Sequence, residues 1–331
     1  MNAGLLYVVI AAALIFDFTN GFHDSANAIA TSISTRALSP AVALGMAAVA
    51  NVAGALISTE VASTLGKGIV QVSSVDQSIV LAALLGAIAW NFTTWYFALP
   101  SSSSHALIGG LIGAVMVSSG SRNVEWAGIF DKVIVPTITS PLVGLVFGGL
   151  LAWGLYWTFR RMRPWVANAR FRKAQTVSAA LMAFSHGSND AQKTMGVMTL
   201  ALLSAGRISH FEVPLWVKLA SAVAMGLGTF TGGKRIIRTL GMKMVKLQPI
   251  DGFAAETAAS VVLLGTASLG FPVSTTHVIT SAIMGVGATK RLSAVKWGVT
   301  INILVAWILT LPMAAALAAI AWKLIHAGLA S

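Results

Sequence analysis

The sequence contains no cysteine and few charged residues. Of its 331 residues, 22 are Lys or Arg and 10 are Asp or Glu, so charged residues make up 10% of the chain. Soluble proteins carry about 25%. The lack of cysteine excludes disulfides, thiolate metal sites and cysteine nucleophiles. So few charges cannot cover a water-exposed surface, which argues against a soluble enzyme.

Apolar residues are abundant instead. They make up 56% of the chain, and the mean hydropathy is +0.81. This composition also argues against disorder, because disordered segments are poor in apolar residues. The net charge of +12 fits a membrane protein with Lys and Arg in its cytoplasmic loops better than a nucleic-acid-binding protein. We therefore predict an all-α polytopic protein whose surroundings are the lipid bilayer, with no nucleic-acid partner.

Long stretches without charge predict the membrane passes, since a helix needs about 20 apolar residues to cross the bilayer. The chain begins without a basic region, so we expect a first span at 3–22 rather than a cleaved signal peptide. Five passes are expected on each side of a basic stretch at 160–173, and about ten to twelve in all. The expected passes are 3–22, 37–59, 77–99, 101–121, 133–159, 174–206, 213–233, 250–271, 273–289 and 297–322. The pass at 174–206 is interrupted by Asp190 and Lys193.

The distribution of basic residues predicts the orientation. If the stretch at 160–173 is cytoplasmic, the clusters at 234–246 and 290–296 fall on the same side, as the positive-inside rule requires. Both termini then lie outside. We expect a multi-pass protein of the cell inner membrane.

The two halves of the chain resemble each other at two places. A shift of 166 residues aligns Phe18, Gly21 and Asp24 with Phe184, Gly187 and Asp190. A shift of 172 residues aligns Pro100, Ser102, His105 and Gly113 with Pro272, Ser274, His277 and Gly285. With an odd number of passes in each half, the second half enters the membrane from the opposite side. We therefore predict two inverted-topology repeats, an N-terminal one at 1–165 and a C-terminal one at 166–331, as in many secondary transporters.

The first repeated motif occupies 20–27 and 185–193, and each copy contains Asp, Asn and His beside a glycine. We expect that glycine to break the helix where the apolar run ends. Charges at membrane depth cost about 2.5–3.5 kcal/mol and mark cavities or ion sites. The alternative is that both copies are ordinary loops, but this does not explain the repetition. Carboxylates and carbonyl oxygens suit a hard cation. The candidate cation ligands are Asp24, Asp190, Asn27 and Asn189.

The second repeated motif is a proline followed by hydroxyl residues and a histidine, at 100–105 and 272–277. Each copy lies between two apolar passes with almost no loop, which predicts a helical hairpin with a polar tip. Helix N-termini and hydroxyls together can bind an oxyanion, whereas ordinary N-capping needs a single hydroxyl. The candidate anion ligands are Ser101, Ser102, Ser103, Ser104, Ser274, Thr275 and Thr276.

Three further charges lie inside apolar segments. Lys193 either pairs with Asp190 or offsets the charge of an anion, and Glu256 could carry a proton. Asp17 is open to the same two interpretations as a structural or a functional charge. Zinc-protease, nucleotide-binding and serine-hydrolase motifs are absent from the sequence. We therefore predict a transporter rather than an enzyme.

At these residues the sequence resembles the inorganic phosphate transporter (PiT) family. The resemblance covers nearly the whole chain and rests on the motifs at 21–28, 186–190 and 272–277, the last preceded by Glu256. It implies symport of inorganic phosphate with a cation, no other cofactor, and a homodimer. It also implies that Asp24, Asn27, Asn189, Asp190 and the two tips surround the substrate.

Two departures from the family pattern bear on the coupling ion. Position 23 is His where much of the family has Asn, and position 193 is Lys where many members have Asn. Both resemble the bacterial low-affinity branch, which implies proton coupling and, in part, transport of metal–phosphate complexes. Histidine titrates near neutral pH, so we assign His23, Asp24, Asp190 and Glu256 to the coupling ion, with the proton favoured. Sodium at Asp24 and Asp190, a sulfate permease and an anion channel are the alternatives.

Overall fold

The structure is a computed structural model. It describes residues 3–330, and all side chains in that range except those at 3, 67, 72, 329 and 330. Thirteen α-helices make up most of this range. Those of the first half are α1 (Ala3–Ser34), α2 (Pro40–Ala55), α3 (Glu60–Gly68), α4 (Gln77–Tyr96), α5 (Ser103–Ser119), α6 (Trp126–Ile129) and α7 (Val135–Phe159). Those of the second are α8 (Pro164–Ser204), α9 (Leu215–Thr231), α10 (Lys234–Arg238), α11 (Pro249–Ser268), α12 (Thr275–Lys290) and α13 (Trp297–Ala330).

Five helical segments in the described range are long and apolar enough to cross a bilayer. They are Gly4–Ser34, Gln77–Tyr96, Trp126–Phe159, Pro249–Ser268 and Trp297–Gly328. Two bent pairs raise the number to seven if each is one span: α2 with α3, bent by 70°, and α9 with the helical segment after it, bent by 59°. The all-helical class is confirmed, and the ten to twelve passes stay a prediction.

The two halves contain the same order of elements and interlock. In each half a long helix is followed by a bent pair, a hairpin of two helices, a short 3₁₀ turn and a last long helix. Helix α1 packs along α9, and α2 packs along α8. Likewise α5 packs along α13, and α12 packs along α7. The core is therefore shared between the halves, and the residues of both motifs lie within it.

The expected helix breaks at the first motif are wrong. Helix α1 continues to Ser34 rather than ending near residue 22, and α8 runs unbroken through Asp190 and Lys193. The glycines serve close packing instead. A Cβ atom at Gly21 would lie 2.2 Å from a backbone oxygen of α9, and one at Gly187 would lie 2.1 Å from a backbone oxygen of α2. Only glycine lets the backbones approach so closely.

The helical hairpins form as the second motif predicts. Helix α4 ends at Tyr96 and α5 begins at Ser103, with Pro100 in the connection. In the second hairpin, α11 ends at Ser268 and α12 begins at Thr275. Proline cannot continue the preceding helix, and each tip is fully buried.

Candidate functional site

Both hairpin tips point to the middle of α1 and α8, so that four elements surround one buried polar cluster. Ser102 and Ser274 are the N-caps: their hydroxyls accept from the backbone N–H of His105 at 3.1 Å and of His277 at 3.2 Å. Such caps satisfy N–H groups that the first helical turn leaves free. The caps fix where α5 and α12 begin, and this directs the next hydroxyls of each tip to α1 and α8.

Asp24 of α1 lies at the centre of the first-half contacts. Its Oδ1 is 2.6 Å from Nδ1 of His23, and its Oδ2 accepts from the Ser103 hydroxyl at 3.1 Å. Nε2 of His23 in turn lies 3.1 Å from the Thr94 hydroxyl on α4. All four side chains are buried. One carboxylate thus connects α1 with the first tip.

Asp190 of α8 has the corresponding position in the second half. Its Oδ2 accepts from the Thr275 hydroxyl at 2.9 Å and lies 3.1 Å from Nε2 of His186. Its Oδ1 accepts from the Lys193 ammonium, which also donates to the Ser104 hydroxyl. Lys193 therefore pairs with Asp190, which is one of the two interpretations of its sequence position.

Two hydrogen bonds connect α1 and α8, each to the hairpin tip of the other half. The Asn27 amide on α1 donates to the Thr276 hydroxyl of the second tip at 2.8 Å. Lys193 on α8 donates to Ser104 of the first tip. Asn27 and Lys193 correspond under the 166-residue shift, as Ser104 and Thr276 do under the 172-residue shift. The contacts of the site therefore repeat between the halves.

Several buried polar atoms in the cluster have no hydrogen-bond partner. They are Oδ1 of Asn27 and both side-chain polar atoms of Asn189. Buried polar groups are nearly always paired, and exceptions call for a ligand, an ion or water. One ligand atom each of Asp24, His186 and Asp190 lies within 4.8 Å of the others. These carboxylates can hold a cation, and the hydroxyls of both tips can donate to a tetrahedral oxyanion.

Ser101 and Glu256 are the predicted site residues that lie apart from these contacts. The Ser101 hydroxyl donates to that of Thr94 at 2.8 Å. The Glu256 carboxylate on α11 accepts from Thr31 of α1 at 2.5 Å and from Gln175 and Ser178 of α8. It is fully buried. Glu256 thus forms a second polar cluster between the same two long helices.

Three buried polar residues in or near the site have no role predicted from the sequence. His186 is four residues before Asp190 on α8, and its Nδ1 lies 2.9 Å from Oδ1 of Asn51 on α2. Thr94 links His23 to Ser101. Asp17 is fully buried and accepts from Thr194 at 2.6 Å. The i,i+4 spacing of a histidine and an aspartate is the signal that identifies His186.

Comparisons with known proteins agree with one another. The sequence profile of a phosphate transporter family matches residues 20–170 and 160–318. A protein of Rhizobium meliloti (strain 1021), named a "Probable low-affinity inorganic phosphate transporter", is 48% identical over 320 residues, which cover 96% of each chain. A protein of Bacillus subtilis (strain 168) with the same name is 45% identical over 325 residues, which cover 97% of each.

A solved structure has the same fold. It is titled "The sodium-dependent phosphate transporter" and superposes with a TM-score of 0.87, covering 98% of this chain and 99% of the other. The two sequences are 24% identical. The similarity extends over the whole arrangement of helices described above.

Proposed function

The chain belongs to the phosphate transporter family, and on that premise we propose that it is a secondary symporter of inorganic phosphate coupled to a cation. It is a multi-pass membrane protein, and its relatives are named as transporters. The observation that carries the proposal is the convergence of two buried hydroxyl tips on two carboxylates and one ammonium.

The two hairpin tips are proposed to bind phosphate. Ser102–Ser104 and Ser274–Thr276 supply hydroxyl donors, and Asn189 supplies an unpartnered amide N–H. The Asn27 amide reaches the site through its bond to the Thr276 hydroxyl. Neutral donors at helix N-termini bind oxyanions without a full positive charge. Lys193 contributes positive charge nearby. Phosphate would exchange its hydration shell for these donors.

The cation is proposed to bind at Asp24 and Asp190, with the proton favoured. His23 contacts Asp24 directly, so its imidazole can exchange a proton with that carboxylate. Glu256 provides a further buried carboxylate between α1 and α8. Sodium is the alternative, because carboxylate and hydroxyl oxygens suit a hard cation, and the solved structure of the same fold is titled sodium-dependent.

Transport by this architecture is proposed to proceed by alternating access between inverted repeats at 1–165 and 166–331 in the inner membrane. The positive-inside rule supports a cytoplasmic stretch at 160–173 and outside termini. A homodimer and transport of phosphate as a metal complex follow from the family resemblance, and both are part of the proposal.

The test is uptake of radiolabelled phosphate into proteoliposomes under an imposed pH gradient in sodium-free buffer. We expect gradient-driven accumulation that excess unlabelled sulfate does not reduce. Uptake only after sodium is added would replace the proton by sodium. Strong competition by sulfate would indicate a sulfate permease. Uptake that needs no cation gradient would indicate an anion channel and would contradict symport.

A further inference from the structure

The Lys193 ammonium occupies a place built from oxygen atoms. It donates to a carboxylate oxygen of Asp190, to the Ser104 hydroxyl and, at 2.8 Å, to the backbone oxygen of Val273. An ammonium has three N–H donors and no acceptor, so these three acceptors satisfy it completely. Carboxylate, hydroxyl and carbonyl oxygens are also the ligands that hard cations prefer. The Lys193 ammonium therefore lies among ligands that could bind a free cation.

The residue at the equivalent place in the first half is uncharged. Asn27 corresponds to Lys193 and donates its amide to Thr276, while its own oxygen is buried without a partner. Asp24 is bonded to His23, Ser103 and Thr276 and, within the described residues, to no lysine or arginine. The pair of sites thus differs by one fixed positive charge.

The charge of the cluster gives this difference a consequence. Asp24 and Asp190 bring two negative charges, and phosphate brings at least one more. Buried charges are costly unless they are balanced. Lys193 supplies one positive charge permanently, so the number of positive charges that have to enter with the substrate is lower by one. His23 and His186 are present whether or not the lysine is, so they do not change the comparison.

We propose that Lys193 is a tethered cation that replaces one exchangeable coupling ion at Asp190. This inference rests on the proposed symport. In this assignment only the Asp24 side of the site binds a cation that moves with phosphate, and Lys193 determines the number of cations carried per phosphate. The ammonium acts through charge, because all its donors are engaged with the protein.

The test replaces Lys193 with the residue found at the equivalent place. In Lys193→Asn, the oxygen atoms of Asp190, Ser104 and Val273 are left without a positive charge. The Asn side chain is shorter and adds an oxygen of its own, so a monovalent cation should bind among these ligands. We expect sodium to become a co-substrate: the ratio of labelled sodium to labelled phosphate entering proteoliposomes should rise by one over that of the unmodified protein. If the unmodified protein is proton-driven, uptake by the variant should also become sodium-dependent.

Two further variants serve as comparison. Lys193→Met has neither a charge nor an oxygen ligand and should lose uptake with every cation. Lys323→Asn removes an exposed lysine and should keep the original ion ratio. Lys193→Gln is expected to behave as Lys193→Asn and is used if the latter is not recovered folded.

Two results would overturn the inference. One is a Lys193→Asn protein that carries phosphate with an unchanged ion ratio. The other is that neither amide variant is folded and active even at high sodium concentration, since sodium should then replace the ammonium. If the unmodified protein and Lys323→Asn both take up no phosphate under any gradient, the proposed function fails instead.

Discussion

The first and second halves of the chain build the same contacts around the site with different charges. In both halves an aspartate bonds a hydroxyl of its own hairpin tip, Asp24 with Ser103 and Asp190 with Thr275. Both aspartates have a histidine partner, His23 for Asp24 and His186 for Asp190, but only Asp190 also has a lysine partner. Backbone geometry has therefore been kept between the halves, and the electrostatics has not.

The largest expected effect separates the two aspartates. Asp190→Asn should abolish phosphate uptake while the protein is still expressed, because it leaves the buried Lys193 ammonium unpaired. Breaking a buried ion pair costs about 3–5 kcal/mol. Asp24→Asn leaves no fixed charge unpaired, so it should also lose uptake but with a smaller loss of thermal stability. The measurements are uptake in proteoliposomes and thermal unfolding of the purified variants.

Two outcomes would contradict this difference. Near-normal uptake by Asp190→Asn would remove Asp190 from the site. Equal losses of stability in the two variants would mean that the Lys193 charge is not held by Asp190. The double variant Asp190→Asn with Lys193→Asn, which removes both charges, should recover part of the stability lost by the single change.

An intermediate effect should be the same in both halves. Gly21→Ala and Gly187→Ala each place a methyl group against a backbone oxygen, at 2.2 and 2.1 Å, and overpacking of this kind costs about 1–3 kcal/mol. We expect similar losses of thermal stability for the two variants. Gly45→Ala on α2, where a Cβ would meet no atom within 4 Å, is the matched control. A large difference between Gly21→Ala and Gly187→Ala would show that the helix packing is less alike than the contacts indicate.

The sequence predicted those parts of the molecule that depend on local patterns. The pattern of a proline followed by hydroxyl residues predicted both hairpin tips. The 166- and 172-residue shifts identified the residues that correspond between the two halves of the site. It did not predict that α1 and α8 continue through their motifs, because polar residues lower the local hydropathy as a helix end would. Whether these polar residues are buried depends on the packing of α2, α9 and the two tips, which are distant from them in sequence.

The hydrogen-bond partners of individual site residues could not be predicted from the sequence for the same reason. The contact of Lys193 with the Val273 carbonyl joins residues 80 positions apart, and that of His186 with Asn51 joins residues 135 apart. Spacing within one helix can suggest Asp190 as a partner of Lys193, since three residues make them neighbours on one face. It cannot indicate the tip that provides the remaining acceptors.

The smallest expected effect concerns the caps of the two tips. Ser102 and Ser274 have similar backbone angles, φ −103° with ψ 108° and φ −87° with ψ 114°, and each accepts from the N–H three residues on. Loss of an N-cap hydroxyl costs about 1 kcal/mol. Ser102→Ala and Ser274→Ala should therefore lower thermal stability by equal, small amounts and leave the cation-to-phosphate ratio unchanged. The ratio should not change because the cap hydroxyls bond backbone rather than a charged group. If only one of the two variants changes the ratio, the asymmetry between the halves extends from the charges at Asp24 and Asp190 to the tips themselves.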